Sequence, residues 1–159
     1  MIDKNGQPKT LEFNCRMGDP ETQPILMRLK TDFLDVMLAA TEPGGLENME
    51  LEWDRRTALG VVLAAHGYPS TPRKGDAITG LPAASETAMV FHAGTESIDG
   101  ATRTSGGRVL CVTALAENPR AARQTAYEVI SGIRFDGMQY RTDIGHRAVK
   151  LAAEGKAAK

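Results

Sequence analysis

The chain has 159 residues, 42% of them hydrophobic and 25% charged, and a net charge of −1. That composition describes an ordinary globular protein long enough to bury a core. The near-neutral charge, with no basic block, argues against a nucleic-acid partner, and no apolar run is long enough to span a bilayer. Two cysteines, Cys15 and Cys111, lie in apolar strand-like segments without zinc-type spacing. They are expected to be free buried thiols, which suits a cytoplasmic protein. The three histidines are far apart in sequence and read as structural or exposed.

In chain order, Asn5-Gly6 marks a hairpin turn whose first arm is only Met1–Asp3. The second arm, Lys9 to Cys15, predicts a strand longer than its partner. Its unpaired backbone needs another neighbour, so the chain is expected to start inside a larger structural unit. Strand alternation puts Glu12, Asn14 and Arg16 on one face and Leu11, Phe13 and Cys15 on a core-facing side. A carboxylate, an amide and a guanidinium converging on one surface suit a cation–nucleotide site. Hard cations take oxygen ligands, and phosphates take arginine.

Gly18-Asp19-Pro20 then turns into a helix beginning at Pro24, with Leu26, Leu29, Phe33, Val36, Met37 and Ala40 as its apolar stripe. Pro43-Gly44-Gly45 ends it. Leu46 to Arg56 reads as a surface connection anchored by Trp53. Strands are predicted at 58–65, 88–95 and 106–115, with an Asp99-Gly100 hairpin and an irregular stretch at 75–82. Asn118 and Pro119 open a helix buried through Ala122, Ala126, Val129, Ile130 and Ile133. A loop at 140–149 leads to a last short helix. The fold class is α+β, with an antiparallel sheet closed by a helix.

The run Glu12-x-Asn14-x-Arg16 followed at once by Gly18-Asp19-Pro20-Glu21-Thr22-Gln23 resembles the metal-binding strand and signature of an ATP-grasp ligase family, the glycinamide ribonucleotide synthetases (phosphoribosylamine–glycine ligases). The segments Thr57–Pro69, Val90–Thr95, Gly106–Leu115 and Arg141–Ala148 are similar to that family's C-terminal domain. The resemblance implies residues 1–45 as the last strand and helix of an ATP-grasp domain and 46–150 as the ligase C-terminal domain; the end from 151 to 159, outside the resemblance, reads as a frayed helix end or a disordered tail. The resemblance assigns Glu12 and Asn14 to Mg²⁺ or Mn²⁺, Arg16 to charge on the transferred phosphoryl or acyl phosphate, and Gly18, Asp19 and Glu21 to substrate binding. ATP, glycine and 5-phosphoribosylamine are the implied ligands.

For Asp19 and Glu21, a turn cap and a helix N-terminal charge are equally good explanations. Gly106-Gly107 reads as a plain turn, and Arg108, His92 and Trp53 read as structural. Residues of the nucleotide lid and the adenine pocket would lie upstream of Met1, in the remaining part of such a ligase. The isolated chain is therefore expected to be inactive. The alternatives are a non-catalytic fragment or assembly module, and another ATP-grasp ligase such as a biotin carboxylase relative.

Overall fold

The computed structural model describes residues 1–155. Its elements are α1 (Thr22–Arg28), α2 (Phe33–Ala39), β1 (Thr57–Ala64), β2 (Ala88–His92), β3 (Thr95–Ile98), β4 (Ala101–Thr104), β5 (Arg108–Ala116), α3 (Pro119–Gly132) and α4 (His146–Ala153). The fold is α+β. A three-stranded antiparallel sheet has the order β1-β5-β2, and β3 and β4 form a separate hairpin.

The sheet sits between two helical layers. Opposed residues of antiparallel strands share a face. Leu59, Val61 and Leu63 of β1 pair with Ala114, Val112 and Leu110 of β5. They pack with Ala122, Ala126 and Ile130 of α3 in the main core. Gly60, Cys111 and Thr113 lie on the other face, where a Cβ on Gly60 would meet Cys111 Sγ at 3.3 Å and Pro24 Cδ of α1 at 3.6 Å. Covered on both sides, the central strand β5 is buried along nearly its whole length.

One irregularity in β5 matters for the site. Leu63 pairs with Leu110, but the next residue, Ala64, pairs with Arg108. Val109 is thus an extra residue, a β-bulge. Simple alternation from Leu110 and Val112 would aim Arg108 at the α3 core. The bulge flips it to the opposite face, alongside Val62 and Ala64, while Val109 is fully buried.

α3 begins as predicted: the Asn118 side chain accepts from the Ala121 N–H at 2.9 Å. Asn118→Ala is expected to cost about 1 kcal/mol, read as a lowered urea midpoint with an unchanged slope. Beyond α3, Arg123 donates to the carbonyls of Thr142 and Ile144, and Tyr127 Oη donates to that of Arg141. These bonds strap the 141–144 loop to the helix.

Several expectations are corrected. Residues 9–15 form no strand. The Asn-Gly turn is present, with Asp3 Oδ1 accepting from the Asn5 and Gln7 N–H groups. Pairing stops at the Ile2–Pro8 bridge and a Lys9 N–H bond to the Met1 carbonyl. A strand without a ladder has nothing to hold its backbone extended. Leu11 and Phe13, expected in the core, are 71% and 93% exposed, and Cys15 is exposed too. Cys111 is the buried thiol, and burial pushes its pKa up.

The single helix predicted from Pro24 is two short ones, starting two residues earlier at Thr22. Between them Leu29 turns extended and bridges Trp53, while the Lys30 and Thr31 N–H groups donate to the Glu52 carbonyl. Asp32 then caps α2 through the Leu34 N–H. The apolar stripe of α2 is open, with Phe33, Leu34, Met37 and Leu38 all exposed. The predicted strand at 88–95 ends at His92 and breaks over Ala93-Gly94, where the Gly94 backbone crosses Gly106 too closely to admit a Cβ. α4 ends at Ala153, inside the stretch read as a frayed helix end or tail, of which residues 156–159 lie outside the described residues.

The 46–56 connection is tied to α1 by Arg28, whose Nε donates to the Asp54 carbonyl and whose carbonyl accepts from the Asp54 N–H, and it carries a local forked ion pair. Arg56 Nη2 lies 2.7 Å from Asp54 Oδ2, and Arg56 Nε donates to both carboxylate oxygens. This side-chain bonding, with the Arg56 backbone N–H in second place, lowers the Asp54 pKa from 3.8 to about 2. Because the folded-state pKa is the depressed one, the stabilisation is complete above the unfolded value of 3.8 and is lost as the pH falls through about 2. The Asp54 carboxyl carbon shift is expected to titrate near 2, and Arg56→Gln should return it toward 3.8.

Candidate functional site

The signature residues occupy an exposed loop, the corner that follows it, and the first turn of α1. Asn14 Nδ2 donates to Glu12 Oε1 at 3.1 Å, so the two side chains meet even without a strand beneath them. Arg16 Nη1 donates to the Met17 carbonyl at 2.8 Å. All three side chains are exposed. The carboxylate and the amide oxygen are hard donors of the kind Mg²⁺ or Mn²⁺ takes, and an amide rotation would present Asn14 Oδ1 beside the carboxylate. The pair fits as part of a cation shell. Among the described residues no cluster of three or more His, Cys, Asp or Glu side chains could hold a metal by itself.

At the corner, Glu21 folds back over Gly18. A Cβ on Gly18 would lie 2.3 Å from Glu21 Oε2, so any side chain there would displace the carboxylate. Thr22 closes the turn, its N–H and Oγ1 both donating to the Gly18 carbonyl, at 3.0 and 2.6 Å. Glu21 stands at the helix N-cap but makes no side-chain capping bond. Its carboxylate therefore remains available at the start of the helix.

The corner is fastened to the sheet by Arg108, a residue whose sequence context suggested only a structural role. Arg108 Nη1 donates to the Asp19 carbonyl and lies 3.4 Å from Asp19 Oδ2. Its Nε donates to Tyr68 Oη at 2.9 Å. The Tyr68 bond is the main cause that raises the Arg108 pKa; burial opposes it, and the nearby Asp19 and Glu21 charges add smaller upward contributions. Gly107 makes room for this arrangement, because a Cβ there would meet the Tyr68 ring at 2.6 Å. The Gly-Gly turn thus has a second function, seating the tyrosine that braces Arg108.

Between corner and sheet lies a cleft of about 440 Å³, lined by Asp19, Val62, Tyr68, Arg108, Tyr140 and Arg141 among others. The structure thus brings Asp19 to a pocket wall beside Gly18 and Glu21. It leaves Glu12, Asn14 and Arg16 on the open surface. Tyr68, Arg108 and Tyr140 are the residues that spacing alone did not single out. The one available signal for Arg108 was the Gly-Gly pair before it.

Comparison with known proteins gives a consistent result. The family model described as "Phosphoribosylglycinamide synthetase, C domain" matches residues 58–147. A phosphoribosylamine–glycine ligase of Ralstonia nicotianae is 63% identical over 150 residues, covering 94% of this chain and 35% of the relative. The enzyme of the same name from Vibrio parahaemolyticus is 53% identical over 97% of this chain and 36% of its own length. The crystal structure of phosphoribosylamine–glycine ligase from Thermotoga maritima superimposes with a TM-score of 0.73 at 40% identity, over 91% of this chain and 35% of that one. The chain thus spans about a third of the length of these relatives. More than half of its residues fall within the matched C domain, and the chain belongs to the phosphoribosylglycinamide synthetase family.

Proposed function

We propose that the chain is the C-terminal portion of an ATP-dependent phosphoribosylamine–glycine ligase, with residues 1–45 completing an ATP-grasp domain and 46–150 forming the C-terminal domain. The observation that carries this reading is the 63% identity to the R. nicotianae ligase across 94% of the chain. In the proposed reaction, a glycine carboxylate oxygen attacks the γ-phosphorus of ATP, giving glycyl phosphate and ADP. The amine of 5-phosphoribosylamine then attacks the acyl carbon, forming the amide of glycinamide ribonucleotide and releasing phosphate and a proton.

Within that reaction Glu12 and Asn14 would contribute oxygens to a magnesium or manganese shell. When bound, the ion neutralises triphosphate charge and holds the phosphoryl group in line. Arg16 would lie against the charge that builds on the transferred phosphoryl or the acyl phosphate. Its planar fork suits that anion better than a point charge. Gly18, Asp19 and Glu21 would orient the glycine amine or the phosphoribosylamine. A cytoplasmic setting is part of the proposal; among the described residues no helix is long and apolar enough to cross a membrane.

The isolated chain is expected to make no glycinamide ribonucleotide from ATP, glycine and phosphoribosylamine, because a single exposed wall cannot enclose a nucleotide. Joined behind the upstream two-thirds of the R. nicotianae ligase, it is expected to make product. Turnover by the chain alone, or a folded joined protein without turnover, would overturn the proposal.

A further inference from the structure

We infer that Arg108 is a positioning residue, fixing from the C domain the Gly-Asp-Pro corner that the ligase reading above gives to an amine-bearing substrate. Three observations meet at this one guanidinium. The bulge at Val109 turns Arg108 away from the α3 core and toward the corner. Its Nη1 reaches both the carbonyl and the carboxylate of Asp19, 89 residues away in sequence. Its Nε is braced by Tyr68, whose ring occupies the space above Gly107.

Among the described residues Arg108 makes the hydrogen bonds and ion pair that run from residues 18–21 to the sheet, and the other tie is the packing of the following helix α1 on β1 and β5. The corner's local hydrogen bonds run from Thr22 back to Gly18 and from Ile25 back to Glu21, within the same few residues. Those bonds shape the turn but do not orient it. Arg108 supplies orientation, because a planar fork fixes direction as well as distance. Lysine would keep the charge at this position but would lose the simultaneous grip on Asp19 and Tyr68. The C domain, on this inference, sets the aim of substrate-facing residues that belong to the preceding segment.

The test uses amide hydrogen exchange on the full 159-residue chain, comparing Thr22 and Ile25 with Val112 in β5 and Ile130 in α3. In Arg108→Ala, Thr22 and Ile25 are expected to exchange about tenfold faster, with Val112 and Ile130 unchanged. Methylguanidinium should restore protection, and Arg108→Lys should not. Tyr68→Phe, which keeps the ring and removes the acceptor, should give a smaller acceleration at the same two amides. It decides the matter should Arg108→Ala fail to fold. Wild-type protection at Thr22 and Ile25 in a folded variant, or equal loss of protection in β5, would overturn the inference.

In the joined ligase, Arg108→Ala is expected to raise KM for glycine or phosphoribosylamine by about tenfold, leaving KM for ATP unchanged. An equal loss of ATP affinity would contradict it. If the wild-type joined protein lacks ligase activity, the functional reading fails, and the exchange data still decide the role of Arg108.

Discussion

Glu12→Ala is expected to lower ligase turnover of the joined protein by about a hundredfold or more, while leaving the stability of the chain within about 0.5 kcal/mol. The two halves of this expectation come from different observations. The Glu12 side chain is exposed, and its hydrogen bond is to another exposed side chain, Asn14. Removing it leaves no buried group unpaired and opens no cavity, so folding should be unaffected. Loss of an outer-shell partner already costs a metal site about ten- to a hundredfold, and Glu12 is read as a direct ligand. Steady-state kinetics at saturating Mg²⁺ and a urea titration measure the two quantities. Loss of activity through loss of folding would contradict the assignment.

Leu63→Ala should do the opposite. Leu63 is fully buried, opposite Leu110 in the register and inside the cluster shared with α3. Truncation removes transferred apolar surface and leaves a cavity between sheet and helix, which costs about 2–5 kcal/mol. Stabilities of small domains are commonly only about 5–15 kcal/mol, so the variant should show a large drop in the urea midpoint with little change in slope. The exposed loop carrying Glu12 lies outside this cluster. Activity assayed well below the new midpoint is therefore expected to survive.

The contrast between these two positions shows where the sequence is informative. β1, β5 and α3 announce themselves through continuous apolar runs, an Asn-Pro start and a buried 3.6-residue period, and each lies within a residue or two of expectation. The Asp99-Gly100 hairpin follows equally directly from its turn residues, both at positive φ. The residues up to 45 are less legible: α1 packs on the sheet, but Leu11, Phe13 and the apolar side of α2 stay exposed among the described residues. Leu11 and Phe13 alternate as strand residues do, but no second strand pairs with them among the described residues. The stripe through Leu29 and Phe33 has helical spacing, yet backbone bonds to Glu52 and the Trp53 bridge interrupt it. Asp32, a good capping residue, was the available sign of a second helix start.

The candidate site divides in the same way. The signature from Glu12 to Gln23 is contiguous and can be read directly. Arg108 reaches the corner only because one residue bulges out of β5, and a period-two reading assigns it to the wrong face. Tyr68 joins it through the space left by Gly107. Neither relation leaves a regular spacing in the sequence.

The most direct test of the account follows an oxygen atom. Glycine labelled with ¹⁸O in its carboxylate is supplied to the joined protein with ATP and phosphoribosylamine, and the phosphate released is examined by ³¹P NMR. Attack of the carboxylate on ATP followed by amine capture predicts that one labelled oxygen appears in inorganic phosphate for each glycinamide ribonucleotide formed, and that Glu12→Ala loses both together. Unlabelled phosphate accompanying product, or labelled phosphate formed undiminished by Glu12→Ala, would contradict the claim that this chain supplies a wall of a glycyl phosphate ligase site.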